Sequence, residues 1–182
     1  MSEEQITKLK RMKFNYEGGL EEFECIKPLT EICSVLGKKY GPFKEGNSYR
    51  MEFFVGRIFI IHGYMKRKDE IDVKMIEKYS FQESSNPDIL KLTKNTFMKM
   101  QSEIELAKTL LEEGKLPIYM YRQLKSKLYD FFRVRLNKIL KFASVTQSQG
   151  RGKIISEEEE IMFKTISDAI ENFRAFFEEK EN

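Results

Sequence analysis

From Phe97 to Phe177 the apolar residues recur at intervals of three and four, a spacing that admits α-helix and little else. A first helix is expected over about residues 88–113, with Phe97, Met100, Ile104, Ala107, Leu110 and Leu111 in one stripe and Gly114 placed as its C-cap. Pro117 suits the first turn of a second helix, expected over about residues 118–144. There Tyr121, Leu124, Leu128, Phe131, Phe132, Ile139 and Phe142 share a face. The polar loop TQSQGRGK precedes a third helix. Its opening Ser156-Glu157-Glu158-Glu159 has the form of a capping box, and Met162, Ile166, Ala169, Ile170, Phe173, Phe176 and Phe177 line one side. Apolar stripes of this kind form core or subunit interface.

The first half lacks that period. Residues 1–20 are rich in charge, end in Gly18-Gly19 and are expected to be a loosely packed N-terminal extension. Residues 21–80 read as a small β-containing domain, in which FECIKPL and ICSVL have strand character. FFVGRIFII, residues 53–61, suits a strand by composition and a helix by the spacing of Phe54, Ile58 and Ile61. Residues 81–88, FQESSNPD, are expected to be a polar linker, and residues 89–182 a helical domain. The fold class expected is α+β: a small N-terminal β-rich domain followed by a larger all-α one.

Apolar residues make up 41% of the chain, enough for a core. The longest apolar run is broken by Gly56 and Arg57 and is too short to span a bilayer, and with charge throughout the first residues no signal peptide is expected. A cytoplasmic protein without membrane contact is expected. Cys25 and Cys33 are eight apart and lack a histidine pair to complete a metal site, and His62, the sole histidine, has no evident catalytic partner. No cofactor, metal or enzymatic activity is expected.

The stretch Gly41-Pro42-Phe43-Lys44-Glu45-Gly46 brackets four residues with glycines, as a phosphate-binding loop does. That loop requires Lys and then Ser or Thr after its second glycine, where this chain has Asn47 and Ser48. Pro42 also removes one of the N–H groups such a loop donates. Gly41, Pro42, Phe43 and Gly46 are therefore read as a structural turn.

Residues 122–141 hold seven basic side chains and one acid, Asp130. They flank both edges of the apolar face rather than forming one stripe, as basic residues bordering a buried face do. Charge is not concentrated in one half of the chain, with 15 basic and 14 acidic groups in residues 1–84 against 17 and 15 in residues 85–182. A helical adaptor that binds nucleic acid through this helix is the alternative function. Arg135 stands apart, because its wheel position lies inside the apolar stripe. A buried arginine needs a carboxylate, and Glu159 or Glu160 at the start of the last helix is the expected partner.

YGPFKEGNSYRMEFFVGRIFI resembles the signature of GINS subunits that begin with their small β-rich domain, where a GPF turn and a glycine precede a helix. SEIELAKTLLEEGKLPIYMYRQLKSKLYDFFRVRLNKILKF is similar to the central helices of that family, with Glu103-Ile104, Ala107, Leu110 and Leu111 followed by Asp130, Arg135 and Lys138. ISEEEEIMFKTISDAIENFRAFF resembles its closing helix. The likeness spans roughly residues 20–178, and the order of its parts points to the archaeal subunit of the Psf two and three type. Met51-Glu52-Phe53-Phe54 departs from it, standing where the family has a proline and a tryptophan. The resemblance implies helix for residues 53–61 and a non-enzymatic DNA replication factor at the replication fork. It further implies a tetramer of two copies with two sister subunits, bridging the MCM helicase and a RecJ-like protein, with primase contacted in some lineages. It leaves direct DNA contact open.

Overall fold

The computed structural model describes residues 2–145 and 156–178. In chain order its elements are α1 (Glu3–Glu17), β1 (Leu20–Cys25), β2 (Cys33–Val35), β3 (Lys38–Tyr40), β4 (Ser48–Glu52), α2 (Phe53–Ile61), β5 (Met65–Arg67), α3 (Val73–Ser85), α4 (Thr96–Glu112), α5 (Ile118–Val145) and α6 (Glu157–Glu178). Small β-containing and helical parts follow one another as an α+β chain. The TQSQGRGK loop lies outside the described residues. Chain contacts gather into two units whose segments interleave: residues 10–71 with 98–121, and residues 1–9 with 72–97 and 122–182.

In the first unit β1 pairs antiparallel with β4 on one side and β5 on the other, with Leu20 opposite Glu52 and Cys25 opposite Met65. Alternation along β1 sends Phe23 and Cys25 inward. They join Met51, Phe53, Val55, Phe59 and Met65 in the core. Burying Phe23 contributes about 1.5–3 kcal/mol. The composition of FFVGRIFII favours a strand, but packing makes it a helix. Gly56 faces the Phe23 ring so closely that a Cβ there would lie 2.1 Å from Cζ. Only a helix bearing glycine at that position lies flat on β1. His62 is exposed at the C-cap of α2, its N–H donating to the Ile58 carbonyl at 3.1 Å.

The GPFKEG stretch is a turn clamped from both sides. Phe43 and Leu29 exchange backbone hydrogen bonds of 2.7 and 3.0 Å, and Gly46 N–H donates to the Cys25 carbonyl at 2.8 Å. Phe43 is buried edge-on against Phe59 and Tyr49. Gly41 has φ of +100°, and a Cβ on it would meet the Glu31 carbonyl oxygen at 2.7 Å. The turn therefore requires glycine at that position.

The second unit is helical. Asp72 caps α3 by accepting from Met75 N–H at 2.8 Å. Ile76, Leu128, Phe131 and Ile139 are wholly buried, and Phe97 stacks on Phe132 with ring centroids 5.4 Å apart.

Four expectations change. Residues 1–20 are not loosely packed throughout, since α1 forms and buries Tyr16. The 81–88 linker is helical as far as Ser85 and contains Glu83, fully buried, because a cation awaits its carboxylate. The helix expected from residue 88 begins at Thr96, whose hydroxyl donates to the Thr93 carbonyl at 2.7 Å. Residues 98–121, grouped by their periodicity with the helical domain, gather with the strands instead: Met98 joins that core and Glu103 meets Arg67.

Candidate interaction surface

Each unit is built around one buried arginine. In the helical unit Arg135, 1% exposed, points from α5 into the apolar face. Its Nε donates to Glu159 Oε1, and Nη2 donates to Glu159 Oε2 at 2.9 Å. Nη1 donates to Glu83 Oε2 at 2.7 Å and to the Leu90 carbonyl at 2.8 Å. The guanidinium carbon lies 5.8 Å from the Phe97 ring centroid and 5.9 Å from that of Phe131. The planar guanidinium meets Glu159 with two parallel N–H groups while a third donor reaches Glu83, a fork that a lysine ammonium does not reproduce.

Glu159 works twice. Glu159 N–H donates to Ser156 Oγ at 3.3 Å, and Ser156 N–H donates to Glu159 Oε2 at 3.2 Å. The capping box of α6 is thus also an arm of the buried ion pair. Glu160, the other carboxylate considered for Arg135, is exposed. Sequence reasoning missed Glu83 and the role of Lys138. The Lys138 ammonium donates to the Glu83, Asn86 and Asp88 carbonyls and lies 2.9 Å from Glu83 Oε1. It closes the C-terminal end of α3, where orphan carbonyls and the helix dipole favour a cation.

In the strand-bearing unit Arg67 donates to Glu103 Oε1 at 2.6 Å and to the Tyr16 hydroxyl at 3.0 Å, under the Phe53 ring. Burial pushes the Glu103 carboxyl up to about 7, against the opposing pull of Arg67. The same burial raises the Tyr16 phenol. Glu103 follows Met100 by three and precedes Ala107 by four, so it sits on the apolar stripe. That position is the signal that could have found it.

These contacts reduce the positive charge that α5 offers outward. Arg135 and Lys138 are turned inward, Lys127 pairs with Glu77 at 2.8 Å, and Arg133 bonds Asp130 at 3.3 Å. Arg122, Lys125 and Lys141 are exposed.

The apolar positions divide. Ala107, Leu128 and Ile139 are buried. Ile104, Leu110, Leu111, Tyr121, Leu124, Phe132, Phe142, Ile166 and Ile170 are half-buried, and Phe173 is 66% exposed. Phe173 forms an edge-on cluster with Phe177, which packs in turn on Phe176, and all three rings are exposed. On α5 a second exposed apolar row comprises Tyr129, Leu136 and Leu140. Intervals of seven and four put these three on one side of the helix, away from Leu128, Phe131 and Ile139. Phe173, Phe176 and Phe177 thus form a clustered exposed aromatic patch on one helix.

Among the described residues no group of three or more His, Cys, Asp and Glu could hold a metal ion, and no helix is long and apolar enough to cross a membrane. No curated protein matches the chain. Residues 70–175, more than half of it, match the family model Sld5, the GINS complex protein helical bundle domain.

Proposed function

The chain belongs to the GINS family, and from that premise we propose that it is a non-catalytic subunit of a GINS complex acting in DNA replication. The family match over residues 70–175 carries the reading. The exposed rows on α5 and α6 support it, since a subunit must present apolar surface to its neighbours. The buried Arg135 network supplies a rigid base for those rows.

The residue-level resemblance takes the proposal further. The chain is of the archaeal Psf two and three type and assembles as two copies with two sister subunits. The assembly links the MCM helicase to a RecJ-like protein and, in some lineages, to primase. The strand-bearing unit and the helical domain divide this work between docking and assembly.

Size-exclusion chromatography with light scattering, on the chain alone and co-expressed with the sister subunit of the same genome, tests the proposal. A stable complex of about four chains is expected, with apolar faces buried between subunits. A monomer that ignores the sister subunit would overturn the reading.

A further inference from the structure

We propose that the outward face of α1, formed by Lys10, Arg11 and Phe14, is a contact for single-stranded DNA, with the phenyl ring stacked on a base and the two cations on its phosphates. Residues 5–16 hold four basic side chains, Lys8, Lys10, Arg11 and Lys13, and no acid. Lys13 is engaged within the chain, 2.5 Å from Glu105 and 3.9 Å from Glu17. Lys8, Lys10 and Arg11 are exposed and form no ion pair among the described residues. Helix electrostatics do not account for them. α1 carries Glu3 and Glu4 in its first turn, where the dipole favours acids, but has no base in its last turn, where a cation would be favoured. The bases sit mid-helix instead.

Phe14 follows Lys10 by four residues and Arg11 by three, so the ring and both cations are neighbours on one face. At 76% it is the most exposed phenylalanine among the described residues. The opposite face of α1 is taken, since Tyr16 is buried in the strand-bearing core and Met12 packs against it. What remains outward is one flat ring among cations, without an apolar stripe. A bilayer would need that stripe to admit the helix. A duplex keeps its bases stacked on one another and offers the ring no partner. An acidic segment answers the cations alone. An unpaired base presents a π-face to the ring while its phosphates meet the cations, the combination by which single strands are held. The choice of DNA over RNA rests on the proposed role in replication.

Fluorescence anisotropy of labelled oligodeoxythymidylate with the full chain tests the contact, and light scattering with the sister subunit reads assembly separately. The chain contains no tryptophan, so Phe14→Trp introduces a single reporter. The oligonucleotide should quench its emission, with affinity equal to or above that of the wild type, because indole stacks on bases as phenyl does. Phe14→Ala should lose about tenfold in affinity while melting within about 2 °C of the wild type. Lys10→Gln with Arg11→Gln should weaken binding and flatten its log–log salt dependence by about 0.7 for each phosphate contact removed. Arg122→Gln with Lys141→Gln, on α5, should change neither. Absent binding of the single strand, unquenched emission from Phe14→Trp, or a loss confined to the α5 variant would overturn the proposal. A larger fall in the melting temperature of Phe14→Ala would overturn it too, by making Phe14 a packing residue. Duplex DNA, oligouridylate, anionic vesicles and polyglutamate are the competing probes. Tighter binding of any of them, with the same dependence on Phe14, would assign the face to that partner instead. Loss of assembly with Phe14-dependent binding intact would remove the subunit reading and leave the contact standing. Normal assembly without binding would do the reverse.

Discussion

Arg135 and Glu159 meet along a full edge of the guanidinium, and the carboxylate that receives it also accepts the Ser156 N–H at the start of α6. The register of α6 on α5 is therefore set by one side chain. Arg135→Ala would leave Glu159 buried without its cation and Glu83 with Lys138 alone. A loss of about 3–5 kcal/mol in urea unfolding is expected. Ser156→Ala, which removes only the cap, should cost about 1 kcal/mol. Similar small values for both would mean that the pair does not anchor the helix.

Glu103 makes the strand-bearing unit sensitive to pH. Its carboxyl is raised from 4.5 to about 7, so the folded chain holds a proton through a range in which the unfolded chain has lost it. The contribution is fully present below pH 4.5 and is lost as pH rises through 7. Its size is on the order of 3 kcal/mol at ~1.4 kcal/mol per unit. Glu103→Gln should flatten the fall in denaturation midpoint between pH 5 and 7.5. An identical slope in wild type and variant would assign the titration elsewhere.

Gly56→Ala sets helix propensity against space. Alanine favours a helix by ~1 kcal/mol over glycine. Here the new methyl would enter the Phe23 ring, which is fully buried and has nowhere to turn. A net loss of about 1–3 kcal/mol is expected from overpacking. A more stable variant would contradict the close approach of α2 to β1.

Phe173 and Phe177 separate interface from core. Replacing both by serine should leave the melting temperature of the isolated chain within about 2 °C, a surface effect. It should weaken assembly with the sister subunit by about thirtyfold or more, as loss of a hot spot does. Leu128→Ala should do the reverse, costing about 2–5 kcal/mol in stability through a cavity in the core.

Sequence alone carried the Arg135 argument far, because a wheel position and a capping box are both local patterns. Each can be read within a few turns of helix. Glu83 was hidden for the opposite reason. It lies in a polar stretch, and its burial depends on a cation 52 residues away. Residues 53–61 were ambiguous because composition and spacing disagreed; the closeness of Gly56 to Phe23, a contact across 33 residues, favours helix. The stripe on α6 was legible in part: Met162, Ile166 and Ile170 are half-buried, but the buried Ile161 was not placed in it, and periodicity carries no record of where coverage stops. Burial at Ile161 and exposure at Phe173 follow from what stands opposite, which local spacing does not encode.

The interleaving of the two units imposes an order on synthesis. The strand-bearing unit is complete in sequence once Tyr121 has left the ribosome, while the helical unit, begun with the first nine residues, still awaits α6. Chains emerging N-terminus first therefore carry Arg135 and Glu83 in the open until Glu159 arrives. A nascent chain of which only residues 1–156 had emerged would have one unit ready to fold and the other missing the carboxylate at its centre.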